Sequence, residues 1–382
     1  MVYIKAVLFS VLIFHCVYPY GIYKNGVYSQ SSELVETTHL EGPLDWWGNP
    51  SGYMNQQSHH SLNIVRKLLD RSPPVLTRIS DLSGVSDREI AMVLLDNILH
   101  AEKAASYPSV QFFYHEQINK IIHEMKAISA EGTPKTHIWK TYNHGFIVKN
   151  NETTFAFDLV RGASVKEENY TLPSEIMKDL VNEIDILFVS HAHEDHADSE
   201  VASTFIAQGK PVIAPSEIWK DETFYKSVTH AERIHNKTHK VVLSKGKELS
   251  FINFPGHQGS KVINNVYLVK SNEISFMHTG DQNNGKDFET WIDHVADSNS
   301  VDVFFVNCWP RGLPRMLKKV APKVVITGHE NELGHKIDHR EANWLTYVRL
   351  RELLTPFVHM TWGEHFHYQH EEDDKLLGLV RE

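Results

Sequence analysis

Cysteine is nearly missing from this chain of 382 residues: Cys16 and Cys308 are the only two. Cys16 lies in an N-terminal apolar segment expected to be cleaved, so the processed chain would keep one thiol and could form no intrachain disulfide. Cys308, in Phe305-Val306-Asn307-Cys308-Trp309, reads as a small apolar residue packed at a strand end. A surplus of positive charge is missing too. With 38 Lys and Arg against 48 Asp and Glu, the formal charge is −10. That argues against a nucleic-acid partner, because polyanions are held by Lys and Arg surfaces, and it sets aside a helix-turn-helix reading of Leu76 to Ala104. Long apolar runs are also missing. Ala6 to Tyr18 spans about 13 residues, short of the roughly 20 that a membrane-spanning helix needs. Repeats and low-complexity tracts are absent, and 41 % apolar with 23 % charged residues excludes disorder on a large scale.

Residues 1–21 carry Lys5, then the apolar run, then Pro19-Tyr20-Gly21. This pattern is expected to be a signal peptide, placing the protein in a secreted or periplasmic location, with membrane contact only through an uncleaved N-terminal anchor as the rival. Three glycosylation sequons, Asn151-Glu152-Thr153, Asn169-Tyr170-Thr171 and Asn236-Lys237-Thr238, matter in a eukaryotic secretory host. Residues 22–135 are expected to form an N-terminal arm and a helical region. The arm, Tyr23 to about Ser58, has turn signals, the aromatics Trp46, Trp47 and Tyr53, and no helical period. Three apolar stripes follow, on Leu62 to Leu69, on Ile90 to Leu99 behind a Ser86/Glu89 capping box, and on Phe112 to Met125. From 136 to 382 the pattern turns to short β-branched and aromatic runs. They cover Phe155–Phe157, Ile186–Val189, Val212–Ala214, Val241–Leu243, Leu249–Phe254, Val266–Val269, Ile274–Met277, Val303–Val306 and Val324–Thr327. Helical stretches at Ser174–Asn182, Ala197–Gln208 and Arg340–Leu354 interrupt them. The class is α/β (α+β), with mixed sheets covered by helices.

Histidine is what the chain has in quantity, 25 in all. Four potential metal ligands fall within six residues of Ser190-His191-Ala192-His193-Glu194-Asp195-His196, directly after the run Ile186-Leu187-Phe188-Val189. Imidazole and carboxylate suit a borderline cation such as Zn²⁺, and alternating positions let neighbouring side chains reach two ions. Three more candidates each stand just beyond a predicted buried strand and directly after a glycine: His257 in Pro255-Gly256-His257, Asp281 in Thr279-Gly280-Asp281, and His329 in Thr327-Gly328-His329. Glycine allows the sharp turns that aim the next side chain into a cleft.

This ordered set resembles the metallo-β-lactamase fold superfamily over about Thr141 to Val358. The resemblance implies an αββα sandwich; the helical region before about Gly132 has no counterpart in it and is expected to be an N-terminal mainly helical extension. It also implies one metal on His191, His193 and His257, a second on Asp195, His196 and His329, and Asp281 bridging them. Carboxylate rather than cysteine at Asp281 is similar to the glyoxalase II, lactonase and phosphodiesterase branches. Asn143-His144-Gly145-Phe146, Phe155-Ala156-Phe157-Asp158 and Ala197-Asp198 are similar to the ascorbate-phosphate lactonase and N-acyl-phosphatidylethanolamine phospholipase D group, although Leu159-Val160-Arg161 departs from it.

Two Zn²⁺ per chain are expected, with Fe or Mn as alternatives. The expected activity is that of a secreted metal-dependent hydrolase, in which a metal-bridging hydroxide cleaves an ester, lactone or amide of a small anionic substrate carrying, in one version, a phosphate. Asp195 and Asp281 are the candidates to orient the water or move its proton. His278, Glu332 and His335 are candidates to support the ligands or supply a leaving-group acid. Arg161, Arg311 and Arg315 are candidate phosphate contacts, and Trp309 with Pro310 candidate specificity residues. The rival functions are a phosphodiesterase of the same fold, an iron-dependent dioxygenase and a non-catalytic zinc-binding protein. A diiron redox protein fits less well, because His193 stands where that branch carries Glu.

Overall fold

The computed structural model describes residues 50–78, 86–131, 135–163 and 170–369. The signal segment, Trp46, Trp47 and the sequon at Asn169 lie outside them. Tyr53 is described as backbone only.

Strict alternation of apolar side chains, one outward and one inward, builds the molecule in layers. The first sheet runs in the order β13-β1-β2-β3-β4-β5, from β1 (Thr136–Lys140), β2 (Phe146–Asn150), β3 (Thr153–Phe157), β4 (Ile186–Phe188), β5 (Val212–Ile213) and β13 (His365–Tyr368). The second runs β12-β11-β10-β9-β8-β7-β6, from β6 (Thr238–Val242), β7 (Glu248–Gln258), β8 (Val262–Ser271), β9 (Ile274–His278), β10 (Val303–Asn307), β11 (Val324–Gly328) and β12 (Phe357–Val358). Residues two apart in a strand share a face. Accordingly Phe155, Phe157, Ile186 and Phe188 meet Phe251, Tyr267, Phe276, Phe305 and Ile326 between the sheets. Their neighbours Ala156 and Leu187 point outward on one side, and Ile252, Leu268, Met277, Phe304 and Val325 outward on the other.

Helices cover both outer faces. α1 (Pro50–Arg71), α2 (Asp87–Leu99), α3 (Pro108–Glu131), α4 (Ser174–Asn182) and α5 (Ser199–Ala207) lie on the first sheet. Leu62, Val65, Leu95, Ile118 and Ile121 share one core with Trp139, Tyr142 and Ile147. The helices α6 (Leu313–Val320) and α7 (Asn343–Leu350) cover the second sheet, with Met316, Val320 and Leu350 packed on Phe304 and Val325. The helical region expected as an extension is therefore an outer layer of the sandwich.

Several elements follow their sequence signals closely. Ser86 accepts from Glu89 N at 3.2 Å while the Glu89 carboxylate accepts from Ser86 N at 3.0 Å, the reciprocal cap expected of Ser-x-x-Glu. All nine predicted strands are present. β1, β2 and β13 are not predicted, because Lys140, Lys149 and three histidines break their apolar pattern, and β12 is only two residues long. Part of the arm is corrected as well: α1 begins at Pro50, so 50–58 is helix rather than loop. No helix among the described residues is long and apolar enough to cross a membrane.

Buried charge ties the early helices to the late strands. Arg88, in α2, donates to Glu364 through Nη1 at 2.7 Å and Nη2 at 2.6 Å, and also to the His359 carbonyl. Lys140, fully buried in β1, donates to Glu330 and, at 2.9 Å, to the Met360 carbonyl. Paired in this way, each ion avoids much of the cost of leaving water.

Candidate metal centre

The strand ends that carry the motif residues lie at one edge of the sandwich. β3 and β4 run parallel, as do β9, β10 and β11. β7 shares the direction of β9, because both pair antiparallel with β8. The C-terminal ends of these strands deliver Asp158, the 190–196 loop, His257, Asp281 and His329. β2 runs opposite to β3, so the residues before it, Asn143 and His144, reach the same edge.

Two trios form there. In His191, His193 and Asp281, and again in Asp195, His196 and His329, one ligand atom from each residue lies within 4.8 Å of the other two. His191 Nε2 is 3.7 Å from Asp281 Oδ2, and His196 Nε2 is 3.2 Å from Asp195 Oδ2. Asp281 faces both sets: its Oδ1 lies 3.4 Å from His196 Nε2 and its Oδ2 lies 3.5 Å from His329 Nε2. His191 Nε2, His329 Nε2 and Asp281 Oδ1 are buried and make no hydrogen bond. Buried polar atoms left unpartnered are costly, and imidazole nitrogens converging with carboxylate oxygens are the donor set of a Zn²⁺, Fe or Mn site. The residues present fit such ions. Two facing mixed sheets with helices on both outer faces are the αββα layering that the sequence resemblance implies.

No family model and no curated protein matches the chain. Among solved structures it is similar to a metallo hydrolase from the hyperthermophilic archaeon Ignicoccus hospitalis, at 17 % identity and a TM-score of 0.46, over 62 % of this chain and 99 % of that one. It is similar to an isothiocyanate hydrolase from Delia radicum gut bacteria, at 12 % identity and a TM-score of 0.46, over 61 % and 99 % of the two chains. It is also similar to CmlA, a diiron β-hydroxylase from Streptomyces venezuelae, at 13 % identity and a TM-score of 0.42, over 66 % of this chain and 62 % of CmlA.

His257 stands apart from both trios. It ends β7 half-exposed, and its Nδ1 faces Asp287 Oδ1 at 3.0 Å, an arrangement that leaves Nε2 for a ligand. The glycine signal divides in two. Gly280 adopts φ 50°, as a sharp turn requires. Gly328 instead ends β11 in close approach, since a Cβ there would come within 2.4 Å of the His144 ring. The positive φ of that motif, 75°, belongs to His329 itself, whose N–H donates to the Asn143 carbonyl at 3.0 Å.

Sequence reasoning did not assign roles to the groups that hold the ligands. Asp158, at φ 43° beyond β3, faces His196 Nδ1 at 2.7 Å and accepts from Ser190 Oγ at 2.6 Å and Ser190 N at 2.7 Å. Ser190 Oγ in turn lies 2.9 Å from His191 Nδ1. One carboxylate thus fixes one ring in each trio, His191 through Ser190 and His196 directly, with their Nε2 atoms turned inward. Burial opposes its ionisation, but His278 and His196 outweigh that and hold Asp158 below the usual carboxylate range. Asn143 donates to Asp195 Oδ2 at 2.8 Å. Asn264 accepts from Asp281 N at 2.9 Å and donates to the Thr279 carbonyl at 2.8 Å, clamping the turn that carries Asp281.

The expected supporting residues differ in placement. His278 is fully buried, stacked on Phe157 with centroids 4.8 Å apart, and faces the His144 carbonyl through Nε2 at 3.0 Å. Glu332 is buried beside Tyr142, and its carboxyl is pushed up to about 7 by burial and by Asp195. His335 packs near His329, centroids 5.5 Å apart. Two of the expected phosphate contacts are already engaged. Arg161 pairs with Asp198 at 2.9 Å and Glu200 at 2.6 Å, and Arg315 pairs with Asp293 at 2.5 Å while lying over the Phe288 ring. Arg311 is exposed. Trp309 meets the His329 ring edge-on at 5.5 Å, and Cys308 is buried with a free thiol.

Proposed function

We propose that this chain is a metal-dependent hydrolase of the metallo-β-lactamase fold, cleaving an ester, lactone or amide bond in a small molecule. The observation that supports it most is the convergence of two ligand trios on Asp281, with buried nitrogens turned inward. Two bound divalent cations, zinc on this reading, would supply Lewis acidity and a water that ionises near neutral pH. The chain supplies placement. His191, His193 and His257 would hold one ion, Asp195, His196 and His329 the second, and Asp281 faces both. Asn143 fixes the oxygen of Asp195 that approaches His196 and His329, leaving Asp195 oriented to take or return a proton at its carboxylate.

Two carboxylates offset half the charge of two divalent ions, which favours an anionic substrate or intermediate. What favours carbonyl over phosphoryl chemistry is that two of the three candidate phosphate contacts, Arg161 and Arg315, are already held by carboxylates, with only Arg311 left exposed. Trp309 adds an apolar wall beside His329. The signal segment read in residues 1–21 supports action outside the cytoplasm.

Elemental analysis of protein purified without added metal, with hydrolysis of chromogenic carboxylic and phosphate esters, tests this reading. About two zinc per chain with carboxylic ester turnover is expected, and His193→Ala with Asp195→Ala should abolish both metal uptake and turnover while preserving the melting transition. Iron without hydrolysis, or hydrolysis surviving in the double variant, would reject it.

A further inference from the structure

His144 has no part in either expected metal site, yet it lies behind both. Its side chain is fully buried, and neither ring nitrogen has a hydrogen-bond partner. One of its nitrogens lies within 4.8 Å of ligand atoms on His196 and Asp281, and it forms a second buried group with Asp158 and His278. The ring is closely packed: His278 is 4.3 Å away between centroids and Phe146 5.8 Å, and Gly328 is excluded from carrying a Cβ by His144 Cδ2. A neutral imidazole carries one N–H. The acceptor nearby with a matching need is Asp281, whose Oδ1 is buried and makes no hydrogen bond.

We propose that His144 is a positioning residue: its imidazole N–H donates to the Asp281 carboxylate and holds it facing both ligand trios. The inference rests on Asp281 being the shared ligand of the proposed centre. Gln258 Nε2 donates to Asp281 Oδ2 at 2.9 Å, so Oδ1 is the oxygen left for a His144 donor. A His144 nitrogen already lies within 4.8 Å of an Asp281 oxygen, and turning the carboxylate about its terminal torsion would shorten that gap without movement of the packed ring. The backbone supports the same arrangement. The His144 carbonyl accepts from His278 Nε2 at 3.0 Å, which leaves His278 Nδ1 to accept from Gly280 N at 3.2 Å, one residue before Asp281. His144 thereby reaches the Asp281 turn through its carbonyl and the Asp281 side chain through its ring. Ligating carboxylates are held by such outer donors, and losing one typically weakens metal binding 10- to 100-fold.

The test compares the full chain with His144→Leu and His144→Gln, using zinc titration against a chelator. His144→Leu is expected to lose about 10- to 100-fold in affinity for at least one ion, and His144→Gln, which keeps an N–H donor, to recover most of it. A purely structural role would give no such rescue. Wild-type zinc affinity and stoichiometry in His144→Leu, or an equal loss in His144→Gln, would overturn the proposal. Should His144→Leu not fold, nitrogen NMR of histidine-labelled wild-type protein decides: a protected His144 N–H that shifts on zinc addition is expected, and none would overturn it. Zinc binding without hydrolysis in the wild type would remove the hydrolase reading and leave this one standing. Failure to bind any metal would remove both.

Discussion

Asp158 shows how much one side chain can organise. Its carboxylate takes two hydrogen bonds from Ser190 and faces His196, and through Ser190 Oγ it reaches His191. Asp158→Ala would leave Ser190 and two buried imidazoles without their anchor. We expect metal affinity to fall about 10- to 100-fold and stability by roughly 1–3 kcal/mol for the groups left unpaired, read by chelator competition and by denaturant unfolding of the metal-free protein. Unchanged affinity would show that packing alone orients the rings. Asp158 was visible in the sequence as the end of Phe155-Ala156-Phe157-Asp158, but its role was not, because an aspartate after a buried strand equally suits a turn. His191, His193, Asp195 and His196 were legible because four donors at alternating spacing leave few other readings. The tasks of Asn143 and His144 were not, since they depend on residues that stand 52 and more than a hundred positions further along the chain, Asp195 and His278.

Among the elements, the first sheet holds a ladder of rings across β1 and β13. Trp139, His365, His137 and His367 stack in turn, with centroids 4.8, 5.1 and 5.0 Å apart, and His137 Nδ1 lies 2.9 Å from His365 Nε2. Burial, then His367, Lys135 and Lys149, push His137 down to about 4. Burial, then His137, His367 and Lys120, push His365 down to about 3. Both are depressed below the ordinary value near 6.5, so between these limits the unfolded chain binds more protons than the folded one. The ladder therefore stabilises the fold fully above about pH 6.5, and the benefit declines as pH falls toward 4. We expect the melting temperature to drop across that window, and the drop to be shallower in a His137→Gln, His365→Gln variant. Identical slopes would assign the acid sensitivity elsewhere. The same ladder explains why β1 and β13 escaped the sequence reading: histidine has no strong strand signal, and these strands are recognised by what they stack on.

At the scale of the whole molecule, the helices before the motif-bearing region close the outer face of the first sheet. Leu62, Val65, Leu95 and Ile121 belong to the same buried cluster as Trp139, Ile147 and Leu187. A chain beginning at residue 136 would expose that face and is expected to aggregate, as extended apolar patches do; a soluble, zinc-binding product would show the helical layer to be dispensable. The layered architecture was legible because period-two and helical stripes alternate in the sequence. The helical layer's attachment was not, since an apolar stripe announces burial without naming its partner.

Arg88 and Glu364 are 276 residues apart in sequence, and their pairing carries a consequence for biosynthesis. On a ribosome, α2 emerges with its guanidinium long before Glu364, the residue ahead of β13 that neutralises it, and the first sheet waits for β13 to complete its edge. Contacts of such sequence separation slow folding, because loop closure comes before the contact rewards it. The nascent chain therefore passes most of its synthesis with an unclosed edge and an unassembled ligand set, a period in which chaperones would have the most to protect and cations the least to bind.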